Sequence, residues 1–151
     1  MRAEQNQLIT RIGPGTPAGG VLRSFWQPVA LTEELAGSRP CKAVRLLGQD
    51  LVLFRDEAGR YGLLDRDCPH RGADLSFGRL ESGGLRCAFH GWLFDRAGQC
   101  LETPAEPEGS TLHQRIRQRA YPLVEKNGIL FAYLGAGDPP ALVARSEEHT
   151  S

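Results

Sequence analysis

The sequence predicts an all-β chain, an antiparallel β-sandwich with two Cys/His loops at one end. Three observations lead there. The 151 residues include 18 glycines and 10 prolines, nearly one residue in five against an average of ~12%. The apolar residues fall in short runs rich in β-formers rather than in long stretches of helical period. Cysteine and histidine also occur together in two turn-like segments, Cys68-Pro69-His70-Arg71-Gly72 and Cys87-Ala88-Phe89-His90-Gly91-Trp92.

Taken in order, residues 1–20 contain Gly13-Pro14-Gly15-Thr16-Pro17 and read as an extended N-terminal arm. Residues 21–140 form the folded domain. Trp26, in Phe25-Trp26-Gln27-Pro28, reads as a core anchor. Thr32-Glu33-Glu34-Leu35 is the one helical signal, with Thr32 as N-cap and acids in the first turn. Strands are expected over residues 44–47, 51–54, 61–64, 85–89, 92–94, 116–120 and 129–133. Asp56-Glu57-Ala58-Gly59 and Asp95-Arg96-Ala97-Gly98 punctuate them as turns. Asn127-Gly128, set between two strands, fits a tight hairpin that needs positive φ. Residues 141–151 form a tail that turns abruptly polar from Arg145. It reads as truncated or artefactual sequence, with an ordinary disordered terminus as the alternative.

Charge narrows the partners. Lys plus Arg equals Asp plus Glu, 18 each, so no global field draws the chain to nucleic acid or to an anionic membrane. The apolar run at 129–134 is far too short to span a bilayer, and residues 1–30 lack the apolar stretch of a signal peptide. A cytoplasmic protein with neither nucleic acid nor membrane as partner is expected.

Four cysteines could make two disulfides, but two of them sit beside histidines in matching loops, which favours metal. Cys41 and Cys100 lie in apolar or turn contexts and read as small, partly buried thiols. Sixteen residues, 71–86, separate His70 from Cys87. Two thiolates and two imidazoles suit a [2Fe–2S] centre in which a histidine pair replaces a cysteine pair on one iron. The pattern C-x-H, spacer, C-x-x-H resembles the Rieske family. That resemblance implies a Rieske-type antiparallel β-sandwich with two cluster-binding loops at one end. It implies Cys68, His70, Cys87 and His90 as cluster ligands, the cysteines on the buried iron and the histidines on the outer one. Two ferric ions are then balanced by two sulfides and two thiolates. The oxidised centre is neutral and takes up an electron more readily than a four-thiolate cluster, which is already an anion.

Around the ligands, Gly72 and Gly91 let the backbone pass close enough for amide N–H groups to face sulfur. Trp92 either packs in the core or covers the cluster. Arg71 is either a solvated cation or part of a charged docking surface beside His70. His113 reads as a surface histidine. The competing metal reading is a closed Cys₂His₂ zinc site, though zinc sites more often pair Cys with Cys and His with His.

The flanks narrow the family. Rieske proteins of respiratory bc complexes carry an extra cysteine in each ligand loop; here Arg71-Gly72-Ala73 follows His70 and Ala88 follows Cys87, so that staple is missing. Cys68-Pro69-His70-Arg71-Gly72-Ala73-Asp74-Leu75 and His90-Gly91-Trp92-Leu93-Phe94-Asp95 are similar to the N-terminal Rieske domain of ring-hydroxylating oxygenases. The segments at 13–17, 25–31, 51–55 and 120–126 resemble phthalate-dioxygenase-like subunits, and the resemblance runs from about Ile12 to Pro140. It implies an electron supplied by a flavin-containing reductase. It further implies delivery to a mononuclear Fe(II) in a following domain, which hydroxylates or demethylates an aromatic substrate, in a homo-oligomer. This chain would stop before that domain and carry no catalytic residue of its own. A stand-alone Rieske ferredoxin and a nitrite reductase small subunit, both electron carriers, are the alternatives.

Overall fold

The structure, a computed structural model, describes residues 2–37, 40–81 and 83–142. The described strands are β1 (Gln27–Leu31), β2 (Cys41–Leu46), β3 (Gln49–Arg55), β4 (Tyr61–Asp65), β5 (Arg79–Glu81), β6 (Gly84–Arg86), β7 (Leu93–Phe94), β8 (Cys100–Glu102), β9 (Leu123–Lys126) and β10 (Ile129–Ala132). They pair antiparallel in three sheets, ordered β1-β10-β9, β2-β3-β4 and β5-β6-β7-β8.

β3 organises the packing. Leu51, Val52, Leu53 and Phe54 are all fully buried, and successive side chains of a strand point to opposite faces. Leu51 and Leu53 enter a core with Leu35, Leu63, Leu130 and Ala132. Val52 and Phe54 enter a second core with Leu64, Leu75, Leu85, Phe94, Cys68 and Cys87. The β2-β3-β4 sheet is therefore a middle layer, with one sheet on each face. That is why β3 reads as an unbroken apolar run rather than an alternation. The expected all-β sandwich is present, divided into three small sheets.

The turns follow their residues. β9 and β10 join through Asn127 and Gly128 at φ 53° and 78°, the doubly positive pair a type I′ hairpin requires. Two other hairpins share one device. Asp56 Oδ1 accepts from the N–H of Ala58 and Arg60, and Asp95 Oδ1 from those of Ala97 and Gln99. Each aspartate folds the backbone around its own side chain.

Five local expectations are corrected, the last being Trp26 as a core anchor. The N-terminal arm is not extended: α1 (Ala3–Thr10) and α2 (Pro17–Arg23) occupy it. Thr16 Oγ1 accepts from Gly19 N–H, with Pro17 in the first turn, a start signal hidden among the surrounding glycines. Thr32–Leu35 is a single 3₁₀ turn, too short to settle into an α-helix. Residues 116–120 make only isolated bridges, Gln99 to Arg117 and Leu64 to Ala120, because buried Gln118 turns inward between them; α3 (Leu112–Arg115) precedes them. The strand expected over 85–89 ends at Arg86, where the chain bends into a loop. Trp26 is half-buried on a flank, its ring centroid 5.7 Å from that of Tyr133 and its indole N–H donating to Pro140 O. The tail from Arg145, His149 included, lies outside the described residues.

A polar chain ties α2 to β4. Arg23 donates to Gln49 Oε1, Gln49 Nε2 donates to the Tyr121 hydroxyl, and that hydroxyl donates to Asp65 Oδ1. Burial and the Asp65 carboxylate push the Tyr121 hydroxyl from 10.0 up to about 12. A group that holds its proton more tightly when folded stabilises the fold below its unfolded value and loses that contribution as pH rises through the folded one. The stability difference between the protein and Tyr121→Phe should thus be constant below pH 10 and shrink between pH 10 and about 12. Urea midpoints of the two proteins at pH 9, 11 and 12 check this; a constant difference would contradict it.

Candidate metal centre

The same loop is built twice. Cys68 N–H bonds to Ala73 O and Gly72 N–H returns to Cys68 O; Cys87 N–H bonds to Trp92 O and Gly91 N–H returns to Cys87 O. In each, the cysteine opens the turn and the glycine four residues on closes it, at φ 73° for Gly72 and 77° for Gly91. An L side chain at either position would be strained. The first loop joins β4 to a 3₁₀ turn (Leu75–Phe77) capped by Asp74, and the second joins β6 to β7.

This repeat brings the four expected donors together. Cys68 and Cys87 are 2% and 3% exposed, and their thiols lie within hydrogen-bonding reach of each other. The His70 and His90 ring centroids are 4.4 Å apart at 74°. The donors form a thiol pair in the core and an imidazole pair toward the rim. No group of three or more His, Cys, Asp or Glu side chains among the described residues is arranged to hold one metal ion. Two pairs suit a two-iron centre, which divides its protein ligands in this way, and they suit closed tetrahedral zinc less well.

Polar satisfaction gives a second test of fit. His70 Nδ1 is buried and has no hydrogen-bond partner among the described residues, a costly arrangement that a bound metal would relieve. Burial, with His90 and Arg71 adding repulsion, holds the His70 imidazole below its ordinary value. Both causes favour the neutral ring, the form a metal ligand takes. Burial pushes the Cys68 thiol up to about 12, and neighbouring Cys87 adds to this; the backbone N–H groups of His70 and Arg71 oppose it. Those amides face the Cys68 sulfur, as the glycine-closed turn leads one to expect. A thiol this hard to ionise becomes a thiolate when a cation takes the proton's place.

Among the residues left open by sequence, Trp92 stacks on His70 with centroids 4.2 Å apart and planes at 17°. It is buried and belongs to the core that holds both cysteines, so it packs and covers at once. Trp92→Ala should lower stability by about 3–5 kcal/mol, as for other buried aromatics, and free the His70 ring. Trp92→Phe should recover most of both. Urea unfolding and the rate of cluster loss to a chelator read the two effects. Arg71 is exposed and forms no salt bridge among the described residues. Phe89, 69% exposed, packs its ring edge-on to His90. Cys41 and Cys100, expected to be partly buried, are both buried. His113, read as a surface histidine, is half-buried on α3.

Two supporting residues carried no sequence signal. Buried Gln118 donates from Nε2 to Asp65 O and Asp67 O, clamping the chain just before Cys68. Arg86, immediately before Cys87, donates to Gly91 O at the far end of the second loop.

The geometry agrees with comparison to known proteins. The family model described as the Rieske [2Fe-2S] domain matches residues 25–123. The chain is 50% identical over 136 residues to the tert-butanol monooxygenase / tert-amyl alcohol desaturase oxygenase subunit of Aquincola tertiaricarbonis, covering 90% of this chain and 28% of that one. It is 45% identical over 146 residues to the 5,5'-dehydrodivanillate O-demethylase oxygenase subunit of Sphingobium sp., covering 94% and 34%. A solved structure, the reduced complex between oxygenase and ferredoxin in carbazole 1,9a-dioxygenase, superimposes with a TM-score of 0.69 at 31% identity, over 79% of this chain and 30% of that one. The chain thus spans about a third of the length of the relatives it matches. No helix among the described residues is long and apolar enough to cross a membrane. By sequence and by fold, the chain belongs to the Rieske [2Fe–2S] domain family, with oxygenase subunits as its relatives.

Proposed function

We propose that Cys68, His70, Cys87 and His90 hold the [2Fe–2S] cluster between the two loops. In this reading the chain relays single electrons from a flavin-containing reductase, directly or through a ferredoxin, to the mononuclear Fe(II) of an oxygenase. The observation that carries the proposal is the loop built twice, with two buried thiols and an unpartnered His70 Nδ1 converging between the copies. When bound, the cluster supplies a one-electron redox centre. The chain's own residues do the rest. Cys68 and Cys87 anchor it in the core, the amides of His70 and Arg71 offset thiolate charge, and Trp92 excludes water from the His70 face. His70 and His90 form the edge nearest a partner, with exposed Arg71 and Phe89 on its rim. Assembly as a homo-oligomer and a cytoplasmic location belong to the same reading.

The reaction served is hydroxylation or demethylation of an organic substrate. Aromatic compounds remain the favoured class, although one relative is named for an aliphatic alcohol. Reduction kinetics and potential test the proposal. The cluster-loaded chain should be bleached by NADH in the presence of a reductase. Its midpoint potential should lie near the low end of the Rieske range of about −150 to +300 mV, since neither ligand loop, residues 68–75 and 87–92, carries a hydroxyl side chain. A potential well above zero, or no reduction, would overturn it.

A further inference from the structure

We propose that Arg86 is a positioning residue for the second ligand loop, holding the Gly91 carbonyl through a guanidinium that two glutamates lock in place. The inference rests on the reading of Cys87 and His90 as ligands. Arg86 ends β6, directly before Cys87, and its side chain is only 13% exposed. Three nitrogens meet three partners. Nε donates to Glu81 on β5, Nη2 donates to Glu102 on β8 at 3.0 Å, and Nη1 donates to Gly91 O at 2.6 Å. Glu81 is itself tied to Arg79. The fork therefore links two strands of the four-stranded sheet to the last residue of the loop, from a base on a third.

What is held matters for the ligands. Gly91 follows His90 directly, its φ is 77°, and its N–H closes the loop onto Cys87 O. The peptide leaving Gly91 lies outside β7, with Gly91 N–H held by Cys87 O on one side and Trp92 O held by Cys87 N–H on the other. Arg86 Nη1 adds a bond to the carbonyl between them and so helps fix the backbone that carries His90. A planar fork with five donors can satisfy three separated acceptors; a lysine has one nitrogen and cannot. An apolar replacement would also remove the cation that half-buried Glu81 and exposed Glu102 share.

Arg86→Lys separates geometry from charge, and Arg86→Met removes both. Amide hydrogen exchange in the cluster-free chain is the first readout. Arg86→Lys should speed exchange at Gly91 by about tenfold, the scale of one charge-assisted hydrogen bond, while Gly72 in the first loop is unchanged. In the loaded chain, Arg86→Lys should broaden the reduced cluster's electron paramagnetic resonance signal and shorten its lifetime under chelator, approaching Arg86→Met. Wild-type exchange at Gly91 in Arg86→Lys would overturn the proposal. So would unaltered resonance and lifetime, which would leave Arg86 a source of charge alone. Because exchange is read without the cluster, altered Gly91 exchange in Arg86→Lys, together with a wild-type chain that takes up no iron, would sustain the clamp and refute the ligand reading.

Discussion

Replacing Cys68 or Cys87 by serine should abolish cluster binding outright. Both sulfurs are almost wholly buried and in reach of each other, so neither can be replaced by a side chain from the surface. A serine hydroxyl gives up its proton far less readily than a thiol, and the Cys68 position already raises even the thiol to about 12. His70→Ala should have nearly the same outcome, because it removes a buried imidazole nitrogen that has no hydrogen-bond partner among the described residues. His113→Ala, changed on α3 outside the pair, should leave iron content and spectrum as they were. Visible absorption and iron analysis after anaerobic reconstitution read all four variants. Full iron in Cys87→Ser, or loss in His113→Ala as severe as in His70→Ala, would contradict the assignment.

The second large effect is an absence of turnover. Oxygen activation at a mononuclear non-haem iron uses two histidines and a carboxylate with open positions for O₂ and substrate. The chain contains four histidines, and the proposed cluster uses two. His113 and His149 remain; His113 sits on the four-residue helix α3, and His149 lies outside the described residues. Given a reductase, NADH, Fe(II) and aromatic acids, this 151-residue chain should show cluster reduction and no product coupled to O₂ uptake. Substrate-dependent product would refute the division of labour between this domain and an oxygenase iron.

How much of this was legible in the sequence depends on the range of the interactions. The two Cys/His loops could be read because each is local: Cys, His and Gly lie within five residues, and the spacing itself encodes the turn. β3 and the Asn127-Gly128 hairpin could be read for the same reason, through an apolar run and a φ requirement. α1 could not, since it buries no residue and so shows no apolar stripe. α2 was masked by Gly19 and Gly20, although Thr16 and Pro17 mark its start. The run at 116–120 has strand-like residues, but its pairing is decided by Gln118 reaching Asp65 and Asp67, more than fifty residues away. The Arg86 fork draws partners from two other strands and a loop. Only the register of the folded sheet brings them together.

The central claim is that the two loops jointly bind one binuclear cluster. Its most direct measurement is the metal and sulfide content of the anaerobically reconstituted chain, with the paramagnetic resonance of its reduced form. The account predicts a red-brown protein with two irons and two labile sulfides per chain, and a rhombic signal from mixed cysteine and histidine ligation. A colourless protein carrying a single zinc would contradict it.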